Sequence, residues 1–185
     1  MKAAGATVAA VETKARDAAS IAAALDGEAC DLLLLIGGTG DGRSDVTATA
    51  LAQRGALIAH RIALRPGGTT AVGRLGSTPV IALAGSPDQA LAGYLALVQP
   101  VLDRLSGRSG QTGIVLPLSR KISSAVGICE LVLLGREHGT WTPLAVGDFS
   151  LDAMRLADAW LAVPDNSEGY AAGTPIAAVP LRLLD

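Results

Sequence analysis

The sequence predicts an α/β protein: a three-layer domain with a mostly parallel sheet, followed by a small all-β, barrel-like domain. Three observations carry this. Strand-like and helix-like segments alternate through the first half, the pattern of a sheet covered by helices. The run Leu32–Ile36 is apolar throughout, as strands buried on both faces of a parallel sheet are. After the Gly/Ser-rich stretch SGRSGQTG (106–113) the texture changes to short β-rich pieces between turns. The expected domains are therefore 1–107 and 113–185.

Element by element, Thr7–Val11 reads as a short strand. Asp17–Leu25 reads as an alanine-rich helix with Gly27 as its stop. Asp31–Ile36 is the apolar strand, and Asp45–Arg54 a helix closed by Gly55. Ala56–Leu64 is the next strand, broken by Arg65-Pro66-Gly67-Gly68. Thr70–Leu75 and Thr78–Leu83 are short strands joined around Gly76. A long helix then runs to about Leu105, with Ser86 as N-cap and Pro87 at its first position. In the second part Ile114–Leu118, Ile128–Leu134, Trp141–Ala145, Ala159–Val163 and Thr174–Val179 read as strands. Glu137-His138-Gly139 reads as a turn, Leu151–Leu156 as a short helix, and Trp141 and Trp160 as core.

Bulk properties exclude several function classes. With 185 residues, half of them hydrophobic, the chain can bury a real core. A net charge of −2, 3% aromatics and no basic patch argue against nucleic acid as a partner. No apolar run approaches the roughly 20 residues of a membrane span. The N-terminus MKAAGATVAAVETKARD carries charges where a signal peptide keeps an apolar stretch, so a cytoplasmic protein with no membrane partner is expected. Cys30 and Cys129 lie far apart beside apolar runs and read as buried thiols. His60 and His138 show no ligand spacing to either cysteine, and His60 reads as structural. No Ser-His-Asp or Cys-His set can be assembled.

The informative feature is a set of loops: GGTGDGRSD (37–45), RPGG (65–68) and AGSPD (84–88), each after a predicted strand. In a parallel sheet all three emerge at the carboxyl edge, where ligands of open α/β sheets bind. Two of them feed helix N-termini, which favour anions. Glycine lets backbone approach a ligand, and Arg43, Arg65 and Arg74 offer charge-assisted contacts to phosphate. The inferred ligand is a small, anionic, phosphorylated molecule. The contact candidates are Gly37, Gly38, Thr39, Gly40, Arg43 and Ser44 in the first loop, Arg65, Pro66 and Gly67 in the second, and Gly85, Ser86 and Pro87 in the third. The first loop is neither a P-loop nor G-x-G-x-x-G, since Arg43 stands where the third glycine would be; a plain strand-to-helix turn is the alternative. Asp41 and Asp45 are either turn and helix-start residues or oxygen ligands for Mg²⁺ beside a phosphate. Asp88 reads as first-turn helix chemistry.

These residues resemble a family. LLLLIGGTGDGRSDVTATAL resembles the Gly-Gly loop of the molybdopterin-binding fold. LRPGGTTAVGRLGSTPVIALAGSPDQALAGYLALVQPVL is similar to the K-P-G-K-P…P-V-x-G-L-P-G-N-P stretch of the molybdopterin molybdenumtransferase family, the MoeA and gephyrin E-domain type. AWLAVPDNSEGYAAGTPIAAVPL is similar to the ending of that family's last β domain. The resemblance covers the C-terminal portion of the family pattern: the family's opening strand and most of its first helix fall outside it, and MKAAGATVAAV resembles the end of that helix and the strand after it. It implies a molybdopterin-binding α/β domain plus a β domain. It also implies insertion of molybdate into adenylylated molybdopterin, with Mg²⁺, in a homodimer. Gly37, Gly38 and Asp45 match the first family loop, Arg65, Pro66 and Gly67 the second with Arg for Lys, and Gly85 and Pro87 the third. Asp45 and Asp41 are then the candidate catalytic and metal-holding groups. The sequence departs from the pattern at Gly68, where the family has a second lysine, and at Ala84-Gly85-Ser86-Pro87, where it has P-G-N-P. Two readings follow: an enzyme of molybdenum cofactor assembly, or a non-catalytic module that binds molybdopterin or a partner protein. A generic nucleotide-binding protein is a third.

Overall fold

The computed structural model describes residues 5–15, 17–27 and 29–181. It divides into two compact units: the chain up to Ile62 with Gly67–Arg108, and Ala63–Pro66 with the chain from Ser109.

In the first unit α1 (Ala18–Leu25) is capped by Asp17, whose carboxylate accepts the Ser20 N–H at 2.8 Å. β1 (Leu33–Ile36), α2 (Thr47–Arg54) and β2 (Ala56–His60) follow, while β3 (Leu64–Arg65) goes to the other unit. β4 (Ala71–Leu75) and β5 (Thr78–Leu83) form a hairpin. α3 (Pro87–Gly93), a π turn (Tyr94–Val98) and α4 (Gln99–Leu105) run on without a break. Pro87 occupies the first turn of α3 as expected, but Ser86 makes no capping bond with its side chain.

The sheet order is β1-β5-β4-β2, with β1 parallel to β5 and β4 antiparallel to both β5 and β2. Three strands therefore point one way and β4 runs against them. The carboxyl ends of β1, β5 and β2 and the start of β4 share one edge. Alternate residues of β5 feed opposite faces: Val80 packs with Leu25 and Leu51, and Ile81 and Leu83 pack with Val98 and Leu102. This is the three-layer arrangement, helices on both faces of one sheet. Leu51 is fully buried, which on area grounds contributes about 2 kcal/mol.

Several expectations change. Residues 6–15 form no strand and are mostly exposed: β propensity in Thr7–Val11 yields no ladder without a neighbour to pair with. Among the described residues β1 pairs with β5 only, so it stands at the edge of the described sheet, half-buried rather than buried on both faces, with Ile36 72% exposed. The Ala56–Leu64 strand is cut at His60, because Arg61 has φ 56°, which no extended ladder accommodates. α2 starts at Thr47, because the Asp45 carboxylate turns back onto the Gly42 N–H at 2.8 Å.

The second unit contains β6 (Ile114–Pro117), β7 (Ile122–Ser123), β8 (Cys129–Glu137), β9 (Thr140–Val146), α5 (Leu151–Leu156), β10 (Ala159–Val163), β11 (Gly169–Tyr170) and β12 (Pro175–Pro180). Its main sheet has the order β3-β8-β10-β12-β6, with β9 on β8, and β7 pairs with β11. Ser150 caps α5 through the Ala153 N–H at 3.1 Å. His138 and Gly139, both at positive φ, make the tight turn from β8 to β9. Trp141 is core, its Nε1–H donating to Ile114 O at 3.1 Å. Trp160 is only half-buried, and its Nε1 has no partner among the described residues. Cys30 and Cys129 are free and half-buried rather than buried; burial, then the Asp165 charge, pushes the Cys129 thiol up.

Candidate functional site

The candidate site lies at the carboxyl edge of the first unit's sheet. Gly37 prolongs the β1–β5 ladder by donating to Leu83 O at 2.9 Å, and the chain then leaves the sheet through Gly37 and Gly38 at φ 97° and 69°. Thr47 pins this exit. Its hydroxyl donates to Gly37 O and its N–H to Gly38 O, both at 3.1 Å, and it is 1% exposed. A Cβ on Gly38 would stand 2.5 Å from the Thr47 hydroxyl oxygen.

Farther along, the Asp45 carboxylate sits inside the loop. It accepts the Gly42 N–H, while Asp45 N–H donates to Gly42 O at 2.9 Å. A Cβ on Gly40 or Gly42 would come within 2.8 or 2.9 Å of its Oδ2. Glycine at 38, 40 and 42 is thus required by the protein's own Thr47 and Asp45. The N–H groups of Gly38, Thr39 and Gly40 have no acceptor among the described residues; Gly38 and Gly40 are half-buried and Thr39 is 2% exposed.

The third loop lies alongside. A Cβ on Gly85 would be 3.5 Å from Gly37 Cα, so the two glycine turns pass backbone to backbone. Thr39, Thr69 and Gln89 tie the loops together: the Thr39 hydroxyl donates to Thr69 Oγ1 at 3.3 Å, and that hydroxyl reaches Gln89 Oε1 at 3.4 Å. His60 closes the set with Nε2 2.9 Å from Thr39 O. A carbonyl only accepts, so this ring nitrogen carries the proton. Gly67 O accepts the Thr70 N–H at 3.0 Å at the head of β4. The hydroxyl oxygens of Thr70 and Ser86 are buried without a hydrogen-bond partner among the described residues.

An open cleft of about 410 Å³ follows, lined by Gly40, Asp41, Gly42, Asp45, Ala48, Thr49, Ala52, Leu57, His60 and Arg61. Asp41 pairs with Arg61, both side chains largely exposed. Arg43 and Ser44 are exposed on the same loop, and Arg43 has no ion-pair partner among the described residues.

The structure therefore brings together Gly37, Gly38, Thr39, Gly40, Asp41, Arg43, Ser44, Asp45, Gly67, Gly85, Ser86 and Pro87 on one edge. Arg65 and Pro66 fall in the second unit. There Arg65 Nη1 donates to the buried Glu130 at 3.2 Å. Burial raises the Glu130 carboxyl, but hydrogen bonds from its neighbours, among them the Ala125 N–H at 3.1 Å and the Arg65 guanidinium, outweigh it and hold it below the usual carboxylate range. Arg74 is a correction: β4 runs against its neighbours, so Arg74 lies at the opposite edge from the loops, bonded to Gly76 O at 3.2 Å. Thr47, His60, Arg61, Thr69 and Gln89 were not among the sequence candidates. None of them carried a local signal: the strand expected over Ala56–Leu64 runs through Arg61, which the structure instead places just past its end at His60.

Among the described residues no group of three or more His, Cys, Asp or Glu side chains could hold a metal. Asp41 and Asp45, the two carboxylates of the cleft lining, are engaged by the Arg61 guanidinium and the Gly42 N–H respectively; Mg²⁺ commonly takes one or two carboxylates with phosphate oxygens and water.

The family model of a probable molybdopterin binding domain matches residues 1–104. A putative molybdopterin biosynthesis protein of Methanocaldococcus jannaschii is 25% identical over 77% of this chain and 34% of its own. Molybdopterin molybdenumtransferase 2 of Mycobacterium tuberculosis is 28% identical over 94% of this chain and 46% of its own. The chain thus spans less than half the length of these relatives. A crystal structure of a molybdopterin biosynthesis MoeA protein from Pyrococcus horikosii superposes with TM-score 0.66, at 27% identity, over 81% of this chain and 37% of the other. A molybdenum cofactor biosynthesis protein from Pyrococcus furiosus, 21% identical over 82% of this chain and 49% of the other, gives TM-score 0.65 and bears on the fold alone.

Proposed function

The chain belongs to the family of the probable molybdopterin binding domain, a family of molybdenum cofactor biosynthesis, and from that premise we propose that its first unit binds molybdopterin, or the adenylylated form, and assists molybdate insertion. The observation that carries this is the first loop. A carboxylate is fixed in a turn whose Gly38, Thr39 and Gly40 N–H groups have no acceptor among the described residues, beside the start of α2. Such amides suit a phosphate.

In this reading the loop amides hold the terminal phosphate. Ala48 and Thr49, in the first turn of α2 and lining the cleft, turn helix-start N–H groups toward it. Asp45 and Asp41 are the residues that would hold Mg²⁺, since two anions repel without a cation between them. When bound, Mg²⁺ would neutralise charge on the phosphate and the oxyanion. The Thr39–Thr69–Gln89 chain and His60 keep the loops in register, so catalysis acts by positioning rather than through a covalent nucleophile. We assign the chain to the cytoplasm and to a homodimer. The second reading, a binding module without catalysis, is favoured by Gly68, where the family pattern has lysine. One experiment separates them: purified chain is incubated with molybdopterin, its adenylylated form and molybdate, and both binding and formation of active cofactor are assayed. Binding with insertion supports the enzyme, binding alone the module, and no binding contradicts both.

A further inference from the structure

Among the described residues Arg61 is the only lysine or arginine that lines the cleft, and it shares that lining with two carboxylates, Asp41 and Asp45. The two are held differently. Asp45 is locked into the loop by the Gly42 N–H and by the space that Gly40 and Gly42 leave. Asp41 is bound only by Arg61, across side chains that are 66% and 71% exposed, Arg61 first. Exposed pairs of this kind are weak and readily exchanged. Arg61 itself sits at φ 56° where β2 ends, so the chain turns out of the sheet at this cation rather than carrying it along a strand.

Resting on the proposed ligand, we propose that Arg61 is a phosphate-recognition residue of this cleft and that its pair with Asp41 is the resting half of an exchange. When the ligand enters, its phosphate takes the guanidinium and the Asp41 carboxylate is released to Mg²⁺. Without the exchange, the two carboxylates of the lining would face an incoming anion with the lining's Arg61 already engaged, leaving only Arg43, exposed on the same loop, to meet it. With it, phosphate and Mg²⁺ become mutually dependent, because each frees or uses a partner of the other.

The test is calorimetric titration with molybdopterin, in Mg²⁺ and in EDTA, of the parent, Arg61→Ala, Arg61→Lys and Asp41→Asn, with melting curves as the folding control. Arg61→Ala should weaken binding roughly tenfold or more in both conditions, the scale of one charged hydrogen bond, and Arg61→Lys should recover part of it. Asp41→Asn should change sign with the metal: tighter in EDTA by up to about fivefold, because the guanidinium is freed from an exposed pair, and weaker in Mg²⁺. Equal weakening by Asp41→Asn in both conditions, or unchanged binding by Arg61→Ala, would overturn the exchange while leaving the ligand assignment intact. A parent that binds no molybdopterin overturns the ligand assignment and the exchange with it.

Discussion

Gly38→Ala tests the first loop at its tightest point. A methyl group there meets the Thr47 hydroxyl oxygen at 2.5 Å, well inside contact distance. The hydroxyl cannot swing away cheaply, because it is buried and donates to Gly37 O. Two costs add. A side chain at φ 69° is strained by about 1–2 kcal/mol, and losing the Thr47 hydrogen bond costs about 1 kcal/mol. The sum is about 2–3 kcal/mol, which lowers the melting temperature of a unit of this size by roughly 10–20 °C. Thr47→Ala removes the obstructing hydroxyl, so Gly38→Ala should cost less in that background, by about the hydrogen-bond share. The assay is thermal unfolding by circular dichroism of the parent, both single variants and the double. A Gly38→Ala protein that melts with the parent, or costs that simply add in the double variant, would refute the clamp.

Asp45→Asn keeps an oxygen for the Gly42 N–H and should leave the melting temperature nearly unchanged, while Mg²⁺-dependent affinity for molybdopterin falls by about 1–3 kcal/mol; calorimetry with Mg²⁺ and EDTA reads both. Glu130 has a lowered folded-state pKa, so its stabilisation is present above the unfolded carboxylate pKa and is lost as pH falls through the folded value. The second unit should accordingly lose stability on acidification below the usual glutamate range, and Glu130→Gln should flatten that loss and lower stability at neutral pH by about 1 kcal/mol; denaturant melts across pH check it. Limited proteolysis should cut first between Gly107 and Gly113, in the exposed segment where the two units part; first cleavage inside Leu91–Leu102 would contradict two independent units. The edge of β1 (Leu33–Ile36), apolar and paired on one side only among the described residues, should drive self-association, so sedimentation at rising concentration should show a dimer, and a persistent monomer would count against it.

Much of this was legible because local chemistry and fold agree. The helix Leu151–Leu156 was bounded by a capping serine, the hairpin at Glu137-His138-Gly139 by its turn residues, and the β4–β5 hairpin by Gly76. The same holds for the glycine loop and for Asp45, whose residue types name their place at a strand end. What was not legible depends on partners distant in sequence. Periodicity does not state strand direction, so Arg74 was assigned to the loop edge although β4 carries it to the other. Nothing local in Leu64–Arg65 says that it pairs with Cys129–Glu130, which places Arg65 in the second unit. The left-handed turn at Arg61 and the Thr47 clamp are likewise set by what surrounds them, and so the roles of both residues were missed.

The central claim, that the carboxyl edge of the first unit is where molybdopterin binds, is tested most directly by amide hydrogen exchange with and without molybdopterin and Mg²⁺. The loop amides of Gly38, Thr39 and Gly40, which have no acceptor among the described residues, should gain protection, together with the start of α2. Protection confined to other segments, or none at saturating ligand, would contradict it.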